Sequence, residues 1–257
     1  MLPVLIERQP DDITCGPTCL AAVYHYYGEQ IGLSEIIRTV RPVQGGGTLA
    51  ANLGVHALER GYSATIYTYN LLTFDPTWFR KGIDLREKLL LQAKIKNIPK
   101  LNEATEAYIN FLDLGGRILG NNLTTNLIHS ILERGCPIIA GLSSTYLYQC
   151  ARESEYEDGV SVEDDVGGTP TGHFVVLSGY NEKEKMMIAD PYGPPETTDL
   201  YYAVNPVRLI NSILLGIVTY DANLLVIEPM SKSSSPARGR DPVVAGQAKL
   251  VLAAQNE

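Results

Sequence analysis

Residues 173–190 read HFVVLSGYNEKEKMMIAD, two apolar runs separated by the polar break Asn181-Glu182-Lys183-Glu184. The runs are short and largely apolar, and asparagine tolerates the unusual backbone of a tight turn, so the segment is a β-hairpin. If the turn centres on Asn181 and Glu182, antiparallel partners have numbers that sum to 363, which sets His173 opposite Asp190. A carboxylate beside an imidazole holds its orientation and tautomer and stabilises its charged form. A histidine and an aspartate that merely begin and end strands are the competing reading, and the pair alone leaves both open.

Upstream, CGPTCLAAVYHYY at 15–27 carries apolar or small residues at helical spacing, with Pro17 in the first turn and Gly28 as the stop. It reads as a buried helix starting near Cys15. Unpaired N–H groups and the positive end of the helix dipole favour a thiolate there, and Gly16 leaves room for a substrate backbone. A buried small cysteine is the plain alternative. Gln9, in the polar lead-in QPDDIT, can swing its amide toward the thiol and, with the Cys15 N–H, bind the oxygen of a tetrahedral intermediate.

Helices are expected at 33–40, 48–60 and 123–134. Strands are expected at YSATIYTYN, CPIIAGLSS (136–144), YYAVNPVRL and LLVIE (224–228). Between Lys81 and Lys100 lie six basic and two acidic residues, so 76–120 reads as amphipathic helices laid on the surface as an insertion. ESEYEDGVSVEDD at 153–165 carries seven carboxylates and no base and reads as a solvated loop, while the SKSSSPARGR stretch opens a weakly ordered tail over 231–257.

The length of 257 residues supports a buried core, and 45% apolar with 19% charged residues fits a globule. A net charge of -8 argues against a nucleic-acid surface, and no apolar run approaches a membrane span or forms a signal peptide, so the expected compartment is the cytoplasm. The four cysteines at 15, 19, 136 and 150 do not make a disulfide framework. Cys19, Cys136 and Cys150 read as packing, and His25, His56 and His129 as structural residues; neither metal nor cofactor is expected. Gly45-Gly46-Gly47 lacks the lysine of a phosphate loop and reads as a turn. The acidic segment lacks the ligand order of a calcium loop.

Gln9 ahead of Cys15-Gly16-Pro17, the passage ERGCPIIAGL, GHFVVLSGY and ADPYG together resemble the papain-like bacteriocin leader peptidases and their stand-alone relatives, over residues 9–193. The resemblance implies an α+β papain-like cysteine peptidase fold, with an N-terminal helix bearing Cys packed on an antiparallel sheet bearing His and Asp. It implies Cys15 as nucleophile, His173 as general base and then acid, Asp190 as orienter, Gln9 as oxyanion donor, and Gly16 and Gly172 in substrate binding. The peptidase domain would span 1–230. Cys15 and His173 are 158 residues apart, wider than in the compact leader peptidases, and no transporter span follows, so double-glycine specificity is not carried over. The expected substrate is a peptide or peptide-like amide. A papain-fold acyl transferase and a silent peptide-binding module remain as alternatives. With seven of the negative charges ending eight residues before His173, a basic or neutral peptide is favoured over an acidic one.

Overall fold

The computed structural model describes residues 1–155, 161–195, 197 and 199–230. Three strands are buried along almost their whole length: β3 (Ile138–Ser143), β6 (Gly172–Tyr180) and β9 (Asn223–Pro229). Strands apolar on both sides need cover on both faces. They form the middle of a seven-stranded sheet in the order β2-β1-β9-β3-β6-β7-β8. The outer strands are β1 (Tyr62–Thr68), β2 (Arg117–Leu119), β7 (Met186–Ala189) and β8 (Tyr201–Val204). Every pairing is antiparallel except β1 with β2.

Side chains along the central strands alternate between two cores. Ile139, Phe174, Val176, Leu225 and Ile227 face one, closed by α1 (Cys15–Tyr26), α2 (Leu33–Thr39), α3 (Ala50–Glu59) and α5 (Pro99–Asp113). Ile138, Ala140, Val175, Leu177, Leu224 and Val226 face the other, closed by α6 (Thr125–Glu133), α7 (Ser144–Tyr148) and α8 (Pro206–Leu215). At about 1.5–3 kcal/mol per large apolar side chain removed from water, this two-sided burial dominates the stabilising terms. The result is an α+β arrangement, a largely antiparallel sheet covered by helices on both faces, with the Cys15 helix on one of them. The helix that starts at Cys15 is fastened to the sheet where the Cys19 thiol donates to the Phe174 carbonyl over 3.2 Å.

Several expectations are corrected. The β6/β7 partners are Tyr180↔Met186 and Gly179↔Met187, then Leu177↔Ile188 and Val176↔Ala189 past a bulge, so their numbers sum to 366 and 365 rather than 363. The cause lies in the turn. Asn181 Oδ1 accepts from the Lys183 and Lys185 amides at 2.9 and 3.1 Å, and Glu184 takes the left-handed conformation at φ 56°, which moves the turn centre toward Met186. His173 is therefore not directly opposite Asp190, which lies just past the last paired residue of β7.

YYAVNPVRL is strand only to Val204. Asn205 Oδ1 accepts from the Val207 amide at 2.9 Å and Pro206 occupies the first turn, so the chain enters α8. The acidic segment is not a loop throughout: β4 (Glu153–Glu155) pairs antiparallel with β5 (Ser161–Glu163), and 156–160 lie outside the described residues, as does the expected tail at 231–257. The 76–120 stretch is largely helical up to Asp113 and ends in β2, with α4 (Leu85–Lys96) burying little besides Leu89. Its second helix is not laid on the surface, because Leu101, Ala104, Ala107, Tyr108 and Phe111 of α5 are buried. Among the described residues no helix is long and apolar enough to cross a membrane.

Candidate active site

The lead-in to α1 is tied to the far side of the sheet. The Ile6 amide donates to the Tyr201 hydroxyl at 2.7 Å and the Gln9 amide to the Pro191 carbonyl at 2.9 Å, after which Asp11 Oδ1 accepts from the Ile13 amide at 3.1 Å to turn the chain into the helix. Thr14 is the N-cap, without a side-chain cap bond, and Cys15 is the first helical residue. The N–H groups of such a first turn have no intrahelical acceptor. A Cβ at Gly16 would stand 2.5 Å from Thr48 Cγ2 and 3.3 Å from Leu53 and Phe174, so the glycine lets the helix start sit against α3 and β6. Gly16 does not line the cleft described next, whereas Gly172 does.

Cys15, Gly172 and His173 line one cavity of about 430 Å³, closed by residues 43–49, the start of α5 and residues 219–221. The glycine run at 45–47 makes the turn expected of it, all three at positive φ, and also forms a wall of this cleft. His173 and Asp190 are both buried, and His173 Nε2 stands 2.8 Å from Asp190 Oδ1. Among the described residues five donors converge on that carboxylate. Oδ1 takes His173 and the Tyr192 and Gly193 amides, each at 3.0 Å, in the turn spelled by ADPYG. Oδ2 takes the hydroxyls of Tyr148 at 2.8 Å and Tyr202 at 2.6 Å.

These contacts set the charges. Burial pushes Asp190 up, but the His173 charge, with the Tyr202 and Gly193 hydrogen bonds, outweighs it and holds the carboxyl well below its ordinary range. For His173 burial works downward and is overridden by Asp190, with Cys15 adding to the upward push, so the imidazole is raised to about 10. It is charged at neutral pH. With Nε2 committed to Asp190, Nδ1 is the ring nitrogen left for a second partner.

Gln9 is buried, its Nε2 donates to the Asp11 carbonyl at 2.7 Å, and its Oε1 is buried without a partner. The structure brings Cys15, His173 and Asp190 together and leaves the Gln9 amide engaged within its own loop. The other histidines are satisfied elsewhere: His56 by Tyr24 and Thr39, His25 by the Ile31 carbonyl, and His129 stacked on Tyr180.

Two tyrosines on Asp190 escape a reading of the sequence, since they lie 42 and 12 residues from it and no spacing marks them. Burial first, then Asp190, raises both hydroxyls, so they remain donors throughout the working pH range. Tyr202→Phe is expected to cost about 1–3 kcal/mol in urea unfolding, the range for losing a hydrogen bond to a charged group. Unchanged stability would mean that Tyr148 alone satisfies Oδ2.

The model of the Peptidase_C39 like family matches residues 96–206, a span that holds His173 and Asp190 but begins after Cys15. Over 90% of this chain and 98% of its own, a crystal structure described as a C39-like peptidase from Bacillus anthracis aligns with 16% identity and a TM-score of 0.48. No curated protein matches the chain. The family model thus likens residues 96–206, less than half of the chain, to the Peptidase_C39 like family.

Proposed function

We propose that the chain is a cysteine peptidase or amide hydrolase that works through Cys15, His173 and Asp190 with Gln9 as oxyanion donor. Residues 1–230 form its catalytic domain, elaborated at 76–120. The observation that carries this reading is the 2.8 Å His173–Asp190 pair, whose imidazole lines the same cleft as Cys15. Support comes also from the family match over 96–206.

The charge of His173 refines the chemistry. An imidazole raised to about 10 holds its proton at neutral pH, so His173 enters the reaction as its acid, and Cys15, its proton given up to solvent, reacts in the thiolate form in which a cysteine is nucleophilic. The thiolate attacks the carbonyl carbon. The oxyanion is met by the N–H groups at the start of α1 and by the Gln9 amide once it turns from Asp11. His173 then gives its proton to the leaving amine, and the neutral ring takes a proton from the water that cleaves the thioester. Asp190 holds the ring through both steps.

Iodoacetamide at neutral pH is expected to modify Cys15 fastest of the four cysteines, and Cys15→Ala to lose that modification with its circular dichroism unchanged. Peptide mass mapping is needed because Cys150 is partly exposed, whereas Cys19 and Cys136 are buried. A wild-type protein in which Cys150 reacts and Cys15 does not would refute the peptidase reading.

A further inference from the structure

The cleft contains a second buried carboxylate for which the proposed reaction has no use. Asp221, between the short 3-10 turn Gly216–Thr219 and β9, is 6% exposed and lines the cleft with Cys15 and His173. It stands against the strand start that carries the base, because a Cβ on Gly172 would overlap both Asp221 Oδ2 and Thr219 Oγ1.

Its partners are few. Thr219 Oγ1 donates to Oδ2 at 2.8 Å, and among the described residues no other side chain donates to the carboxylate and no base forms an ion pair with it. Lys100, whose charge reaches Asp221, is held over the Tyr220 ring at 4.7 Å. Asp190, by contrast, is a fully paired anion. A buried carboxylate with one hydroxyl partner is costly to folding, and a fold with no use for its charge gains nothing by keeping it. Asp12 and Glu103 line the same cleft, so acids outnumber bases there. What is missing is a cation, and the opening through which one can come is the substrate cleft.

We propose that Asp221 is a specificity-determining residue that selects substrates carrying an ammonium or guanidinium group close to the carbonyl attacked by Cys15. The inference rests on the cysteine-peptidase reading and deepens it. The cation pairs with the free side of the carboxylate and, held there, sets the scissile bond over the thiol.

Chloromethyl ketones provide the test, read as second-order rates of Cys15 alkylation by mass mapping. Three are compared at pH 8: Nα-acetyl-lysyl, Nα,Nε-diacetyl-lysyl, and Nε-acetyl-lysyl with a free α-amine. The expected result is a preference of about tenfold for a charged reagent over the diacetyl form, the effect of roughly one partly screened ion pair. Asp221→Asn brings that ratio to near parity. A preference confined to the Nα-acetyl-lysyl reagent identifies a substrate side chain as the cation, and one confined to the free α-amine identifies a substrate N-terminus.

The wild type supplies an independent readout. Burial raises the Asp221 carboxyl to about 7, against the opposing pull of Thr219, Lys100 and His173. Lys100 and Tyr108 of α5 and His173 of β6 are the titratable groups that act on it, with Asp12 and Glu103 further along the cleft wall. Taken relative to Asp221→Asn, which cancels the α-amine's own titration at about pH 8, the charged-to-uncharged ratio therefore falls between pH 8 and pH 6 as Asp221 takes up its proton. Equal rates for all three reagents in the wild type, or a ratio constant across that range, overturn the proposal while Cys15 alkylation itself still supports the peptidase reading. If no reagent alkylates Cys15, both fall together.

Discussion

His173→Ala is expected to slow Cys15 alkylation at pH 6 by about 10²–10⁴-fold, the span that a positioned acid-base group contributes. That is about 3–5 kcal/mol of barrier at 1.36 kcal/mol per decade. The size follows from the two duties the ring performs. Raised to about 10, it is the positive charge beside the sulfur as it attacks at pH 6, and it is also the acid that protonates the leaving amine. Iodoacetamide needs only the first duty, so its rate isolates the ion pair; an amide substrate needs both and loses more. Removing the ring also strips Asp190 of its one cationic partner in a buried setting, so His173→Gln, which can keep a donor toward Oδ1, separates loss of charge from loss of folding. If either variant is alkylated at the wild-type rate at pH 6, sulfur is not activated by His173 and the triad reading fails.

What could be read in the sequence was whatever had a local cause. The helix start at Cys15 is written in the apolar spacing and the Pro17 of the segment itself, and the β6/β7 hairpin in two apolar runs around a polar break. The register was not readable, because it depends on Asn181 Oδ1 bonding two amides ahead of it and drawing Glu184 into the left-handed region. A hairpin read as centred on Asn181 places His173 and Asp190 face to face. The fold instead lets the imidazole reach Asp190 from beyond the paired strand, at the same 2.8 Å that the chemistry requires. The pairing of functional groups was thus legible where the backbone geometry that delivers it was not.

The non-local features were hidden for one reason. Tyr148 from the short helix after β3 and Tyr202 from β8 meet Asp190, and Lys100 from α5 and Asp221 from the turn into β9 meet the cleft, only through sheet topology. The two aspartates show why residue type alone cannot separate roles. Both are buried, yet Asp190 is held low by five donors, while Asp221, with Thr219, is left high at about 7 by burial. A well-paired carboxylate serves the protein's own machinery. One that lacks its counter-ion fits a group waiting for something from outside.

Asp190→Asn is expected to flatten the fall in stability between pH 6 and pH 9.5. Unfolded, an aspartate titrates near about 3.9 and a histidine near about 6.5. Asp190 is lower in the fold than that, so its contribution is present above about pH 4 and is lost in acid. His173 is higher in the fold, at about 10, so its contribution is whole below about pH 6.5 and drains away as pH climbs toward 10. The pair therefore stabilises most between about pH 4 and 6.5. The two shifts report one interaction and are not summed; at 1.36 kcal/mol per unit the alkaline loss comes to about 2–4 kcal/mol for so buried a pair. Thiols held up chiefly by burial, Cys19 and Cys136, also cost stability in alkali; burial is common to both proteins and cancels in the difference, and the smaller push of Asp190 on Cys19 adds to the wild-type drop. Urea unfolding at pH 6 and 9.5 should thus give the wild type the larger drop by about 2–4 kcal/mol, with Asp190→Asn less stable at pH 6 and nearly as stable as the wild type at 9.5. Parallel losses in the two proteins would mean that His173 is not charged in the fold, and the ring would have to act as a neutral base that takes the Cys15 proton during attack.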